Sequence, residues 1–172
     1  AAAAGAARAA KSAELSQTLS GAMQSAAAFD HPANAGAEAA LQREWEALRR
    51  EVEAQSLSAP DSFKRHTALV ASEIQWLGKV ADRSGLILEA DPALYHLVVT
   101  TVESLPMITE MLGRSRAIGS NILGRQTATA IERANLSAAA GVVEQHMVSV
   151  NRHLDAARDA DPATGVRLAD AR

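Results

Sequence analysis

Two arginines separated by one serine, Arg114 and Arg116, are the side chains in this sequence best suited to bind an anion. A guanidinium group donates two parallel hydrogen bonds to a carboxylate or a similar oxyanion. Interfaces within helix bundles often hold small ligands, so this pair has the chemistry of an anion site. The same arginines could instead pair with Glu103, Glu110 or Asp82, or stay solvated, and the sequence leaves both interpretations open.

Asp82, Tyr95 and His66 are further candidates for polar contacts with a ligand. Asp82 falls in the last turn of a predicted helix, where a carboxylate opposes the helix dipole, so it needs a specific partner: Arg83 or a ligand. Amphipathic packing is the simpler interpretation of Tyr95, the only tyrosine, and a hydroxyl offered to a ligand is the alternative. His66 lies on a predicted amphipathic helix, where a polar packing position is the simpler interpretation.

The sequence offers no constellation for catalysis, for a metal or for a cofactor. It has no cysteine, which excludes disulfides and thiol chemistry. No glycine-rich phosphate loop follows a strand. The histidines include no pair four residues apart of the kind that binds zinc on a helix. We therefore predict a non-catalytic protein without a cofactor. The histidines are His31, His66, His96, His146 and His153.

Composition predicts an all-α protein. The chain has 172 residues, of which 48% are hydrophobic and only 3% aromatic, so its core must consist mainly of Ala, Leu, Val and Ile. The net charge is −3 and the basic residues are dispersed, which argues against nucleic-acid binding. No run of 18 apolar residues occurs, so a membrane would be reached only through flanking segments absent from this sequence.

Apolar residues recur at alternating spacings of three and four, which predicts an elongated antiparallel up-and-down bundle forming one domain over residues 1–172. We expect the second and third helices to share one crossing interrupted at Pro60, which makes the bundle four-helix-like. Arg49 and Glu53 should form a charge pair on the outer side of the second helix. The first four predicted helices run to about residue 28, over 37–55, over 61–84 and from 92 onwards, and a last helix contains residues 136–154 and ends near 161.

Several residues mark the predicted helix ends. The run Asp30-His31-Pro32 should break the first helix, and Gly85 should end the third in a left-handed conformation. Asp91 should cap the next helix, with Pro92 in its first turn. We expect Pro106 to kink that helix, a turn or weak point over residues 119–124, and the segment 86–88 to pack across the bundle end.

The stretch from Ser62 to Gly119 resembles a block found in helical periplasmic sensor regions of bacterial chemoreceptors, sensor histidine kinases and diguanylate cyclases. The resemblance covers about a third of the chain. His96 stands where the family pattern has a second tyrosine, and Glu89-Ala90 interrupts the step before Asp91. The shared elements are Val80-Ala81-Asp82-Arg83-Ser84-Gly85-Leu86-Ile87-Leu88, Asp91-Pro92, Tyr95-His96-Leu97, Leu105-Pro106 and Leu112-Gly113-Arg114-Ser115-Arg116-Ala117-Ile118-Gly119.

This resemblance implies a periplasmic sensor domain of an inner-membrane receptor, flanked by membrane helices and working as a homodimer. A small ligand, expected to be anionic, such as an organic acid or an amino acid, would shift one helix against another and signal to a cytoplasmic module. The ligand-binding residues would be Arg116, Arg114, Tyr95, His66 and Asp82. The alternative is a ligand-free bundle that dimerises or binds a partner protein or an apolar surface.

Overall fold

The computed structural model describes residues 2–27 and 35–170, and within these ranges every regular element is helical. The all-α prediction is therefore confirmed. The chain divides into two compact units, residues 1–76 (unit 1) and residues 77–172 (unit 2). The predicted break at Asp30-His31-Pro32 lies outside the described residues. Among the described helices, none combines the length and the apolar character that a membrane crossing requires.

Unit 1 contains α1 (Ala2–Ala27), α2 (Ala35–Glu53) and the first part of α3 (Ala59–Arg83). These three helices share one apolar cluster, to which α1 contributes Met23, α2 contributes Leu41 and Leu48, and α3 contributes Leu69. Leu48 is only 2% exposed. The half-buried side chains around the cluster are Leu19, Trp45, Val52, Leu57 and Trp76.

The chain reverses between α2 and α3, so the prediction that they share one interrupted crossing is wrong. Gln55 adopts a left-handed conformation (φ 54°), which turns the backbone. Leu48 of α2 then lines the same surface pocket as Arg65 and Leu69 of α3. In a single straight helix Leu48 and Leu69 would be about 30 Å apart, at 1.5 Å per residue. An ion pair between Arg65 and Glu51 crosses the same hairpin.

Unit 2 is built around α6 (Ala130–Ala160). A nearly continuous helix packs antiparallel against α6 and consists of α4 (Pro92–Val99), a π segment (Thr100–Ser104) and α5 (Leu105–Arg125). Two contacts show the register of these helices. His96 lies near His153 at one end, and Leu112 and Leu136 line the same surface pocket towards the other. A short helix, α7 (Pro162–Asp170), packs on α6.

The predicted start of α4 is confirmed in detail. Gly85 ends the preceding segment in the left-handed region (φ 74°), where a residue without Cβ is favoured. The Asp91 carboxylate accepts a hydrogen bond from the Leu94 backbone N–H at 2.9 Å, and Pro92 occupies the first turn. These local signals were readable because each acts within a few residues of the helix end.

Two expectations about unit 2 are wrong. Residues 86–88 form a 3₁₀ turn closed by its own backbone, and their side chains are 44%, 41% and 79% exposed, so they do not pack across a bundle end. Residues 119–124 remain helical, and α5 ends instead at Gln126, which is left-handed (φ 54°). Pro106 is the second residue of α5, just after the π segment. The disturbance expected at this proline therefore takes the form of a widened turn, in which the Leu105 N–H bonds to the Thr100 carbonyl.

Candidate functional site

A cavity of about 390 Å³ lies in unit 1 between α1 and α2, with one lining residue from α3. This volume is within the range of small-ligand pockets. Its walls are apolar at Gly5, Ala9, Leu15, Trp45 and Val52. The polar lining residues are Arg8, Lys11 and Ser12 of α1, Arg49 and Glu53 of α2, and His66 of α3.

Basic side chains outnumber acidic ones around this cavity. Arg8, Lys11, Arg49 and His66 line it, and Glu53 is the one carboxylate among its described lining residues. Arg49 Nη1 lies 3.5 Å from Glu53 Oε1, so this pair is long, and both side chains are about half exposed. Such exposed pairs contribute little stability. Lys11 Nζ is also paired, with Glu14 Oε1 at 2.7 Å, so the excess positive charge at the cavity comes from Arg8. Such an excess attracts anions.

Two polar atoms at the cavity have unused hydrogen-bonding capacity. Arg49 Nε and Ser12 Oγ are both inaccessible to solvent, and neither has a hydrogen-bond partner among the described residues. The outer part of the Arg49 side chain remains open to solvent, while its Nε is enclosed. A buried polar group without a partner costs about 1–3 kcal/mol. Because a water-sized probe reaches neither atom, an anion in the cavity would accept hydrogen bonds from both groups, and remove this cost, only after nearby side chains moved to expose them.

A hydrogen-bonded chain fixes the wall between α1 and α2. Trp45 Nε1 donates to Ser16 Oγ at 3.0 Å, and Ser16 Oγ in turn donates to the Ser12 carbonyl at 3.0 Å. The indole is therefore held in one orientation beside the cavity. Because Ser12 lies on the same segment of α1, this chain also fixes the backbone that carries the unpartnered hydroxyl.

The tautomer of His66 follows from its hydrogen bond. His66 Nδ1 lies 2.7 Å from the Ser62 carbonyl oxygen, which can only accept, so Nδ1 must carry a proton. In the neutral ring Nε2 is then a bare acceptor, which repels the lone pairs of an anion. His66 can donate to an anion from Nε2 only when the ring is protonated.

Of the residues predicted to bind a ligand, His66 alone lines this cavity, and the other four lie in unit 2. Asp82 and Arg116 are exposed. Tyr95 is also exposed, and its ring makes an edge contact with the ring of His96 at 5.3 Å. No hydrogen bond or ion pair joins Asp82, Tyr95, Arg114 and Arg116 to one another in the described part of the chain. Their ligand role stays a prediction.

The surroundings of Arg114 fit the interpretation in which this arginine interacts with a neighbouring acidic side chain and not with a ligand. Glu110, one helical turn earlier, has a buried carboxylate oxygen without a hydrogen-bond partner among the described residues. Burial raises the pKa of Glu110 above its usual value, and the positive charge of Arg114 acts in the opposite direction. Arg114 therefore partly offsets the cost of burying Glu110.

The residues that sequence reasoning missed are Arg8, Lys11, Ser12 and Arg49. The first three recur with Leu15 at helical spacing, so they share one face of α1, and that pattern was available in the sequence. Arg49 and Glu53 do form the expected pair, but both line the cavity. Both side chains are about half exposed, as expected on the outer side of α2, and α1 contributes to the same cavity. In the described residues no cluster of three or more His, Asp or Glu side chains could hold a metal.

A family model described as nitrate and nitrite sensing, NIT, matches residues 1–169. The chain belongs to the NIT family. NIT domains are extracytoplasmic helical sensor domains of bacterial receptors, so the resemblance and the periplasmic location predicted from the sequence are confirmed. The family also fits a domain that senses rather than catalyses. Neither the curated proteins nor the solved structures contain a significant match to the chain.

Proposed function

We propose that this NIT domain binds nitrate or nitrite in the unit 1 cavity, and that occupancy of the cavity is the signal the receptor reads. The family match supplies the ligand class. The observation that carries the location is the pair of buried, unpartnered groups, Arg49 Nε and Ser12 Oγ, in a cavity with excess positive charge.

The chemistry of nitrate matches these groups. Nitrate is a planar monoanion with three acceptor oxygens, and the planar guanidinium group of Arg49 can donate to two of them in parallel. Ser12 can donate to a third oxygen, while Arg8 and Lys11 supply further positive charge. Nitrate has only four heavy atoms and occupies a small part of 390 Å³, so water must share the cavity with it.

Signal transfer follows from which helices hold the ligand. Ser12, Arg8 and Lys11 belong to α1, and Arg49 belongs to α2, so a bound anion bridges the two helices. An anion that bonds to both helices favours the arrangement in which their donors converge, and shifts the population towards it. We propose that this shift of α1 against α2 is relayed to an output module outside this sequence, in a homodimeric receptor.

A carboxylate ligand is the second candidate. A carboxylate presents two oxygens to the same guanidinium fork, and the cavity has room for an organic acid or an amino acid. The Arg116 site proposed from the sequence, with Arg114, Tyr95 and Asp82, also remains a candidate. Arg116 is exposed and makes no ion pair within the described residues, so its guanidinium group is free to bind.

Thermal unfolding of the full chain against nitrate, nitrite, chloride and small organic acids tests the ligand class. A ligand at 100 times its dissociation constant adds about 2.7 kcal/mol to the free energy of unfolding. For a domain of this size we expect the unfolding midpoint to rise by about 5–11 °C with nitrate or nitrite. Chloride at the same concentration is the control for general salt effects.

The Arg49→Gln variant tests the location, with Arg50→Gln as its matched control. Arg50 is the next residue on α2, is exposed and does not line the cavity. A hydrogen bond to a charged group contributes about 1.5–3 kcal/mol, so Arg49→Gln should weaken nitrate binding more than tenfold, and Arg50→Gln should leave it nearly unchanged.

Titration of Arg116→Ala separates the two sites. Loss of nitrate binding in Arg116→Ala, with binding intact in Arg49→Gln, would move the site to α5 and contradict the cavity proposal. If no anion in the panel raises the midpoint, the ligand-free interaction bundle becomes the better hypothesis. Sedimentation of the same samples would show whether the chain forms a dimer.

A further inference from the structure

Two histidines far apart in the sequence meet in unit 2. His96 on α4 and His153 on α6 place their Nδ1 atoms 2.9 Å apart, and their ring centroids are 5.1 Å apart at an interplanar angle of 44°. A separation of 2.9 Å between two nitrogens is that of a hydrogen bond. The pair therefore joins α4 directly to α6.

The number of protons on the pair determines whether this bond exists. One Nδ1 must donate and the other must accept, so the hydrogen bond forms when the pair is neutral or carries one positive charge. When both rings are protonated, two N–H groups and two positive charges face each other at 2.9 Å. The bond is then lost and the two rings repel each other.

The groups around the two histidines disfavour a positive charge on both rings. Burial lowers the pKa of His153, the positive charges of Arg152 on α6 and of His96 lower it further, and Glu103 in the π segment acts against them. The Tyr95 ring contacts His96 edge-on at 5.3 Å. On the α4 side, the Thr100 hydroxyl donates to the His96 carbonyl at 2.9 Å, so His96 is also tied to the start of the π segment.

We propose that His96 and His153 form an acid-sensitive clasp that holds α4 against α6 while the pair carries at most one positive charge, and that releases α4 when both rings are charged. The clasp gives the domain a second input, proton concentration, besides its anion ligand. The clasp shares no residue with the unit 1 cavity, so its test does not depend on whether the proposed anion site is correct.

Nitrogen NMR of the imidazoles across a pH titration of the full chain tests the clasp directly. Because burial and neighbouring positive charges lower the pKa of His153, its ring should take up a proton below the usual histidine value of about 6.5. The two rings share one hydrogen bond, so the second proton on the pair should be taken up in a separate step. The protection factors of the α4 amides, which correct for the slower intrinsic exchange at lower pH, should fall at least tenfold across the second step, and not across the first. Two independent titrations near the usual value, with protection in α4 unchanged, would overturn the proposal.

The His96→Asn variant removes one titrating ring. The Asn side-chain amide lies near the position of Nδ1 and can still donate to His153, so the neutral contact persists while the doubly charged state cannot form. The acid-dependent loss of protection in α4 should disappear. His146→Asn, a histidine of α6 outside the pair, is the matched control and should keep that loss.

The reciprocal variant His153→Asn protects the test against a folding defect in either substitution alone. It should give the same loss of the acid step as His96→Asn. An acid step that survives in both variants would show that other groups release α4, and would overturn the clasp.

Discussion

The two units treat their buried polar groups differently. In the described residues, unit 1 has the buried, unpartnered atoms Ser12 Oγ, Glu38 Oε1, Arg49 Nε and Trp76 Nε1, whereas unit 2 has only Glu110 Oε1. Protein interiors normally satisfy such groups, because each unmade hydrogen bond is costly. Two of the four unit 1 atoms, Ser12 Oγ and Arg49 Nε, belong to residues that line the cavity, whereas Glu110 is the one such residue in the described part of unit 2. This contrast is why we place the ligand in unit 1 and the helix clasp in unit 2.

Unit 2 satisfies its helix ends with side chains that bond locally. Thr129 and Glu132 form a reciprocal capping box at the start of α6: the Glu132 N–H donates to Thr129 Oγ1 at 3.1 Å, and the Thr129 N–H donates to Glu132 Oε2 at 2.9 Å. Asp161 accepts bonds from the backbone of Ala163 and from Thr164 at the start of α7. These bonds lower the pKa of both carboxylates below their usual values.

The largest expected effect is loss of the unit 1 core. Replacing Leu48 by Ala removes the best-buried large side chain and leaves a cavity, so the free energy of unfolding should fall by about 2–5 kcal/mol. Chemical denaturation measures this change. Leu123→Ala on α5, at a position 78% exposed, is the control and should change stability by less than about 0.5 kcal/mol. Equal losses in the two variants would contradict the burial pattern described for unit 1.

A smaller effect is expected at the α6 cap in unit 2. Thr129→Ala removes the capping box and should cost about 1 kcal/mol. The exposed Thr127, which makes no side-chain hydrogen bond in the described structure, provides the control Thr127→Ala. The pH dependence has a definite sign. The pKa of Glu132 is lowered in the folded state. Its contribution to the free energy of unfolding is therefore fully present at pH values above the usual glutamate pKa, and is lost as the pH falls through the folded-state pKa.

Denaturation of Thr129→Ala at neutral and acidic pH checks this sign. The backbone N–H of residue 129 is the largest cause of the lowered pKa of Glu132 and is kept in the variant, whereas the Thr129 hydroxyl, the next cause, is lost. The variant should therefore lose slightly less stability on acidification than the wild type. A variant that loses as much as the wild type would show that the hydroxyl does not contribute to the acid sensitivity.

The smallest expected effect is that of Ser12→Ala, which should not destabilise the ligand-free protein but should weaken nitrate binding. Ser12→Ala removes a buried hydroxyl that lacks a partner, so without nitrate the unfolding midpoint should stay unchanged or rise slightly. Nitrate binding should weaken about three- to tenfold, as for the loss of one neutral hydrogen bond. Thermal unfolding with and without nitrate measures both. A variant destabilised in ligand-free buffer would show that Ser12 has a structural role and would weaken the contrast between the units.

Local features of the fold were predictable and long-range ones were not. The ends at Gly85 and Asp91 follow from interactions within a few residues, and the α6 cap has the same kind of signal, Thr129 three residues before Glu132, although it was not recognised. The contact between His96 and His153 joins positions 57 residues apart. No spacing rule within one helix identifies it, because it depends on the register of α4 against α6.

The residues of the candidate site also fall into those that the sequence predicts and those that depend on long-range packing. The sequence predicts a ligand role for His66, which does line the cavity, but it indicates only a surface charge pair for Arg49, which lines the cavity too. Helical periodicity places Arg49 and Glu53 on one face and does not say which helix covers that face. The reversal at Gln55, which brings α3 back against α2, also departs from what the apolar pattern predicts, since two helices in line and two in a hairpin show the same spacing.

The hydrogen bond between Trp45 and Ser16 gives the domain a built-in optical probe. The chain has two tryptophans, Trp45 and Trp76, which both belong to unit 1, and its one tyrosine, Tyr95, belongs to unit 2. Tryptophan emission therefore reports on the unit with the cavity. Because the Trp45 indole borders the cavity and is held by Ser16, an arriving anion changes the surroundings of a fixed fluorophore, and binding can be followed without any label.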